Sequence, residues 1–264
     1  MNITWHQFGL FALLSVLPWT AGSILALCRG RRCARLSAWS TAVGLLVYIT
    51  FIAGLWHSLE RPPLRTLGET RLWYSLFMVA SGWLVYLRWH YRWIPLFSLV
   101  TASVFILINL LHPEIHDRTL MPALQSVWFV PHVTVYIFSY SLFGCAFLLA
   151  LAGLWQRTAS YLAHTNQLVG IGLAFLTFGM LSGCIWAKQA WGTYWSWDPK
   201  ETWAVATWCA YLVYLHRQFD ASARARFVGS YVWLIVGFAL LQMCWYGVNF
   251  LPSAAASMHS YSTS

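Results

Sequence analysis

Charged side chains are scarce in this chain, and acidic ones scarcest: Asp and Glu number 7 in 264 residues, and all charged residues make up 9%. Soluble domains carry about 25% charged residues, which excludes a water-soluble globular protein. No long polar block interrupts the apolar sequence, so residues 1–264 read as a single integral membrane domain. The 6 cysteines form no Cys-x-x-Cys pair and no zinc spacing. Most of them fall in apolar runs, where Cys behaves as a small apolar residue, so the spacings do not point to thiol-redox chemistry. His112 and His116 stand four apart, but Pro113 opposes a settled helix between them and no His-Glu-x-x-His arrangement follows. The first hydrophobic run, Phe8 to Leu27, lacks a basic segment before it and a small-residue cleavage site after it, so it is expected to be a retained span. Paired half-helices and internal repeats, the marks of many transporters, are not visible.

What is present is apolar length. A helix needs about 20 apolar residues to cross a bilayer. Eight segments qualify, roughly 7–28, 39–56, 72–88, 94–111, 132–155, 167–186, 202–216 and 227–246, the seventh being short. The expected fold is therefore all-α, a polytopic transmembrane helical bundle of about eight spans. Loop charge sets its orientation. Arg29, Arg31, Arg32, Arg35, Arg88, Arg92, Arg157, Arg217, Arg224 and Arg226 share one side with the single acid Asp220. The other side holds Arg61, Arg65, Arg71, Arg118, Lys188 and Lys200 with six acids. The positive-inside rule places the arginine-rich loops in the cytoplasm and both termini outside. The net charge of +9 follows from this topology and from cytoplasmic lipid headgroups, with no need for nucleic acid.

Aromatic residues are abundant, 18% of the chain, and they concentrate in one place. Residues 186–203 read WAKQAWGTYWSWDPKETW, with five tryptophans in eighteen residues. Lying between two apolar segments, this stretch is expected to be an external loop at the membrane–water boundary. A few Trp there would be headgroup anchors, but this density makes a broad, flat, partly apolar surface suited to a large planar ligand. At its end, Asp198 fits an N-cap, Pro199 the first helical position and Glu201 the third, the pattern of a capping box. That role needs no ligand. On the same side, His132 opens the fifth span and His259 sits in the C-terminal tail. Imidazole is a strong ligand for haem iron, so two histidines flanking an aromatic floor could hold a porphyrin by both axial positions. An interfacial His is more often simply solvated, and both readings stand on position alone. His216 lies at the cytoplasmic end of the seventh span, as a boundary residue or as a second ligand position near the inner leaflet.

The string WGTYWSWDPKETWA resembles the tryptophan-rich WWD signature of haem-handling proteins in cytochrome c assembly, and most closely the CcsA/ResC branch of system II. PPLRTLGETRLWYSLF, MPALQSVWFVPH and GVNFLPSAAASMHSY are similar to further family segments in the same order, over roughly the last 200 residues. The resemblance implies that His132 and His259 are outer axial ligands of haem b, on either side of a floor that includes Trp191, Trp195, Trp197 and Asp198, and that His216 serves an inner haem site. It implies haem transport outward and presentation to apocytochrome c, within a holocytochrome c synthase that forms thioethers (a lyase-type reaction). Expected partners are a CcsB/ResB-type membrane subunit, an apocytochrome c with a Cys-x-x-Cys-His motif, and thiol-reducing proteins. The expected location is a bacterial inner membrane or a thylakoid-type membrane, with the Trp-rich loop on the outer or lumenal side. A haem exporter or chaperone without attachment activity, or an unrelated multi-spanning transporter, are the alternative readings.

Overall fold

The computed structural model describes residues 3–113, 124, 126–220, 227–252 and 257–258. Among them are eight α-helices and no β-strand: α1 (Phe8–Leu27), α2 (Arg31–Leu59), α3 (Leu67–Trp89), α4 (Ile94–Leu111), α5 (Phe129–Trp155), α6 (Leu162–Trp191), α7 (Pro199–Arg217) and α8 (Phe227–Trp245). Each expected span falls on one of them, so the polytopic helical architecture read from hydropathy holds. Six of the helices are long and apolar enough to cross a membrane, which makes this a multi-pass membrane protein. The other two, α3 and α7, carry charged residues at their ends (Glu69, Arg71 and Arg88; Lys200, Glu201 and Arg217), which shortens their apolar stretches.

The helices form two compact units, Met1–Arg118 and Thr119–Ser264. In the first, α1 packs on α2 and α4, and α3 on α2 and α4. Hydrogen bonds from small polar side chains tie these apolar helices together, as is common within membranes. Ser37 Oγ donates to the Gly22 carbonyl at 2.7 Å, Ser40 Oγ to that of Pro18 at 2.7 Å, and Asn109 Nδ2 to that of Gly68 at 3.0 Å. The start of α3 is fixed by charge. Glu69 is 1% exposed and accepts from both terminal nitrogens of Arg61 at 2.9 and 3.0 Å, from Arg65 N–H at 2.6 Å and from Thr66 N–H at 3.2 Å. Thr66 Oγ1 accepts in return from Glu69 N–H at 3.1 Å, completing a capping box. Partial burial and the neighbouring Arg61 lower the pKa of Arg65, against the opposing pull of Glu69.

In the second unit α5 packs on α6 and α8, and α7 on α6 and α8. Phe143 of α5 and Tyr211 of α7 stack face to face, 3.8 Å between ring centroids and 4° from parallel. Around this centre, Ser139 Oγ donates to the Gly172 carbonyl at 2.7 Å, Trp208 Nε1 to Thr177 Oγ1 at 2.9 Å, and Trp233 Nε1 to the Ala210 carbonyl at 2.7 Å. Helix α6 runs past the apolar span to Trp191 and stops at Gly192, whose φ of +82° suits a residue without Cβ. With α7 beginning at Pro199, the connection between them is Gly192–Asp198, shorter than the Trp-rich stretch itself.

Candidate functional site

His132 lies in the first turn of α5, and α6 builds a seat for it. The seat comes from two i, i+4 pairs, His132 and Tyr136 on α5 against Gly179 and Gly183 on α6. A Cβ added at Gly183 would lie 2.6 Å from His132 Nδ1, and one added at Gly179 would lie 2.2 Å from the Tyr136 ring. Only glycine lets the two rings approach the α6 backbone this closely, as small residues do at helix interfaces in membranes. His132 Nδ1 is 2.8 Å from the Gly179 carbonyl oxygen. Because a carbonyl only accepts, Nδ1 is the donor in this bond; in the neutral imidazole Nε2 is then the ligating nitrogen, the arrangement that a neighbouring carbonyl favours in metal-binding histidines. Trp186, 3% exposed, stacks on the imidazole with centroids 5.3 Å apart and 29° between planes; Tyr136 lies at 4.6 Å. Trp186 in turn meets Trp191 edge-on at 4.8 Å and Phe129 at 5.1 Å. The imidazole is thus fixed in position by an aromatic wall and in orientation by the Gly179 carbonyl.

The Gly192–Asp198 connection forms a second cluster. Lys188 Nζ donates to the Gly192 carbonyl at 2.8 Å and lies 5.4 Å from the Tyr194 ring centroid. Trp195 and Trp197 meet edge-on at 5.8 Å. Trp197 is 68% exposed and takes a left-handed φ of 58°, which is uncommon for a bulky residue. Trp195 is half-buried, and its indole Nε1–H is buried without a hydrogen-bond acceptor among the described residues. Such a donor normally finds a partner.

Glu201 and Asp198 hold the loop. Glu201 Oε2 accepts from Ser196 N–H at 2.9 Å and Asp198 N–H at 3.1 Å, and Asp198 Oδ1 accepts from Lys200 N–H at 2.9 Å. The capping role expected for Asp198 and Glu201 is therefore present. Asp198 does one thing more. Its Oδ1 also accepts from Ser257 Oγ at 3.0 Å, and its Oδ2 from Met258 N–H at 2.7 Å. Nothing in the local sequence of the loop signals this, because the donors come from some sixty residues downstream.

The remaining candidates divide by place. His259 lies outside the described residues, directly after Met258. His216 stands in the last turn of α7, eighteen residues beyond the Asp198 cap, or about 27 Å along a helix. It is exposed, and its Nδ1 lies 2.8 Å from the Leu212 carbonyl oxygen, to which it donates as His132 Nδ1 does to Gly179. His57 is exposed near the C-terminus of α2, where Trp56, Ser58 and Glu60 line an open pocket of about 400 Å³ with it. The structure thus brings His132 to Trp186 and Trp186 to Trp191, Trp195 to Trp197, and Asp198 to Ser257 and Met258; it sets His216 at the far end of α7 from the Trp-rich loop. Trp186, Tyr136, Gly179 and Gly183 were not singled out from the sequence. The Gly-x-x-x-Gly spacing in α6 was the signal that could have found them.

Residues 64–255 match the model of the family described as cytochrome C assembly protein. The chain is also similar over most of its length to plant proteins named cytochrome c biogenesis protein CcsA. Identity is 30% to that of Pelargonium hortorum, covering 84% of this chain and 86% of that protein. It is 29% to that of Nymphaea alba, covering 90% and 87%, and 29% to that of Nicotiana tomentosiformis, covering 84% and 85%.

Proposed function

Because the chain belongs to the cytochrome C assembly protein family and has a role in cytochrome c biogenesis, we propose that it carries haem to the outer membrane face and presents it there to apocytochrome c. The observation that supports this reading most is the seat of His132: an imidazole whose Nδ1 donates to a backbone carbonyl, which in the neutral ring makes Nε2 the ligating nitrogen, with an aromatic wall beside it. Such an environment fits haem, whose iron takes a neutral imidazole and whose flat apolar face packs on indole rings. The buried Trp195 Nε1–H fits an acceptor supplied by the ligand, and haem has two carboxylates. His259 is the second outer ligand in this reading, and Trp191, Trp195 and Trp197 shape the floor between the two.

Haem b is the substrate, and what it supplies is its pair of vinyl groups. Each cysteine thiol of a Cys-x-x-Cys-His motif in the apocytochrome adds across one vinyl C=C, its sulfur to one carbon and its hydrogen to the other, so nothing is oxidised overall. This chain contributes orientation and the exclusion of water. His132 fixes the plane of the porphyrin through its own fixed ring, and the loop keeps the vinyl edge toward the outer face. A CcsB/ResB-type subunit completes the synthase, and thiol-reducing proteins keep the substrate cysteines reduced. Placing the Trp-rich loop outside follows from the ten-to-six excess of Lys and Arg on the opposite side. Haem reaches the outer site from an inner one near His216.

The test is maturation of a c-type cytochrome in cells without their own assembly system, supplied with this chain and its partner. Covalent haem staining of the reporter is expected with the native chain and lost with His132→Ala. Haem arriving outside without thioether formation, with the partner present, would instead identify an exporter.

A further inference from the structure

We infer that Asp198 is a positioning residue for the C-terminal tail: its carboxylate latches Ser257 and Met258, and so sets where the next residue, His259, stands against the Trp-rich loop. The inference rests on the reading of His259 as the second outer haem ligand.

An N-cap needs one acceptor, and Asp198 meets that need through Lys200 N–H on Oδ1. Two further donors converge on the same carboxylate, Ser257 Oγ on Oδ1 at 3.0 Å and Met258 N–H on Oδ2 at 2.7 Å. Asp198 is 5% exposed, so water competes little for these bonds, and bonds to an ionised acceptor are roughly twice as strong as neutral ones. The tail also departs from the same place. Near the end of α8, Cys244 Sγ approaches the Lys200 carbonyl at 3.5 Å, two residues into α7 from Asp198. The chain thus leaves the first turn of α7 at Cys244 and returns to its cap at Ser257, closing a loop. Ordering a chain segment costs conformational entropy, and Asp198 helps to offset it at Ser257 and Met258, the two donors that meet it. Tail and aromatic loop are then fixed to one point, since Trp197 is bonded directly to Asp198 through the backbone. A ligand histidine one residue beyond the latch is held to the loop that shapes the floor, instead of searching the volume open to a free tail.

Cap and latch separate chemically. Asn caps a helix as well as Asp, but its amide nitrogen cannot accept a hydrogen bond. Asp198→Asn therefore keeps the start of α7 with one oxygen and loses the tail donor that faces the nitrogen. Ser257→Ala removes one tail donor and leaves the cap intact.

The experiment uses the full chain and two readouts. Amide exchange of the C-terminal peptide reports the latch, and haem titration with absorption spectra reports its use. Asp198→Asn is expected to speed exchange at Met258 and weaken haem binding by about tenfold or more. The spectrum should move from six-coordinate low-spin toward that of His259→Ala, with imidazole restoring it. Combining Asp198→Asn with His259→Ala should be no worse than His259→Ala alone. Ser257→Ala should act in the same direction by a smaller factor, and serves if Asp198→Asn fails to accumulate. Unchanged exchange at Met258 would overturn the latch. Faster exchange with a native haem spectrum, where His259→Ala alters the spectrum, would overturn the positioning role. A native spectrum in His259→Ala would overturn the ligand reading instead, leaving Asp198 a structural tail anchor.

Discussion

Replacing Gly183 with Ala tests the seat of His132 without touching the histidine. The new methyl carbon would stand 2.6 Å from Nδ1 and 2.7 Å from Cε1 of the imidazole, about 1 Å inside the ~3.5 Å at which such atoms pack best. The methyl grows from the backbone of a long helix, so the ring is what yields. The Gly179 carbonyl is one turn away on the same helix, and an imidazole pushed off α6 therefore lengthens its 2.8 Å bond to that oxygen as well. Losing a hydrogen bond of this kind costs about 0.5–1.5 kcal/mol, and removing the group that orients a metal-bound histidine typically costs 10–100-fold in affinity. Haem binding by the purified protein should weaken about tenfold, equivalent to ~1.4 kcal/mol, and imidazole should recover the low-spin spectrum. Gly170→Ala is the control: it lies on the same helix, its added Cβ meets nothing within 4 Å, and Ala favours helix over Gly by up to ~1 kcal/mol. It should bind haem as the native chain does. Gly183→Ala with native affinity and native spectrum would refute the reasoning, since a ligand in that seat cannot stay put.

Two further outcomes are expected. Glu69→Gln removes the counter-ion of Arg61 from a site where the carboxylate is 1% exposed; breaking one side of such a buried pair costs about 3–5 kcal/mol, so thermal stability should fall clearly, and an unchanged unfolding temperature would contradict the pairing. His216→Ala should lower outer-site haem although His132 and His259 are intact, as the proposed supply of the outer site from an inner one requires. Native haem content and native cytochrome c maturation in that variant would make His216 a boundary residue.

Much of the fold was legible because membrane helices announce themselves: apolar runs fell on all eight described helices, six of which are long and apolar enough to cross a membrane. The capping box at Asp198–Glu201 was legible too, since its donors and acceptors lie within four residues. The site was only half legible. The sequence places His132 at a helix start and the tryptophans in a loop, but the ring that stacks on His132 is Trp186, which continues α6 and reads as one more aromatic in a crowded stretch. The partner of His132 Nδ1 is a backbone carbonyl, and any residue has one. The second role of Asp198 depends on a contact across some sixty residues, which no local pattern encodes. Division into two compact units at residue 118 is likewise a matter of which helices pack together, and uniform hydrophobicity hides it.

The absorption and electron paramagnetic resonance spectra of the purified protein, compared among the native chain, His132→Ala and His259→Ala, bear most directly on the outer site. The native chain should carry non-covalent haem in a six-coordinate low-spin state with two imidazole ligands. Each variant should lose outer-site haem or turn high-spin, and regain the low-spin signal when imidazole fills the missing position. Native haem content and an unaltered low-spin signal in both variants would contradict the account.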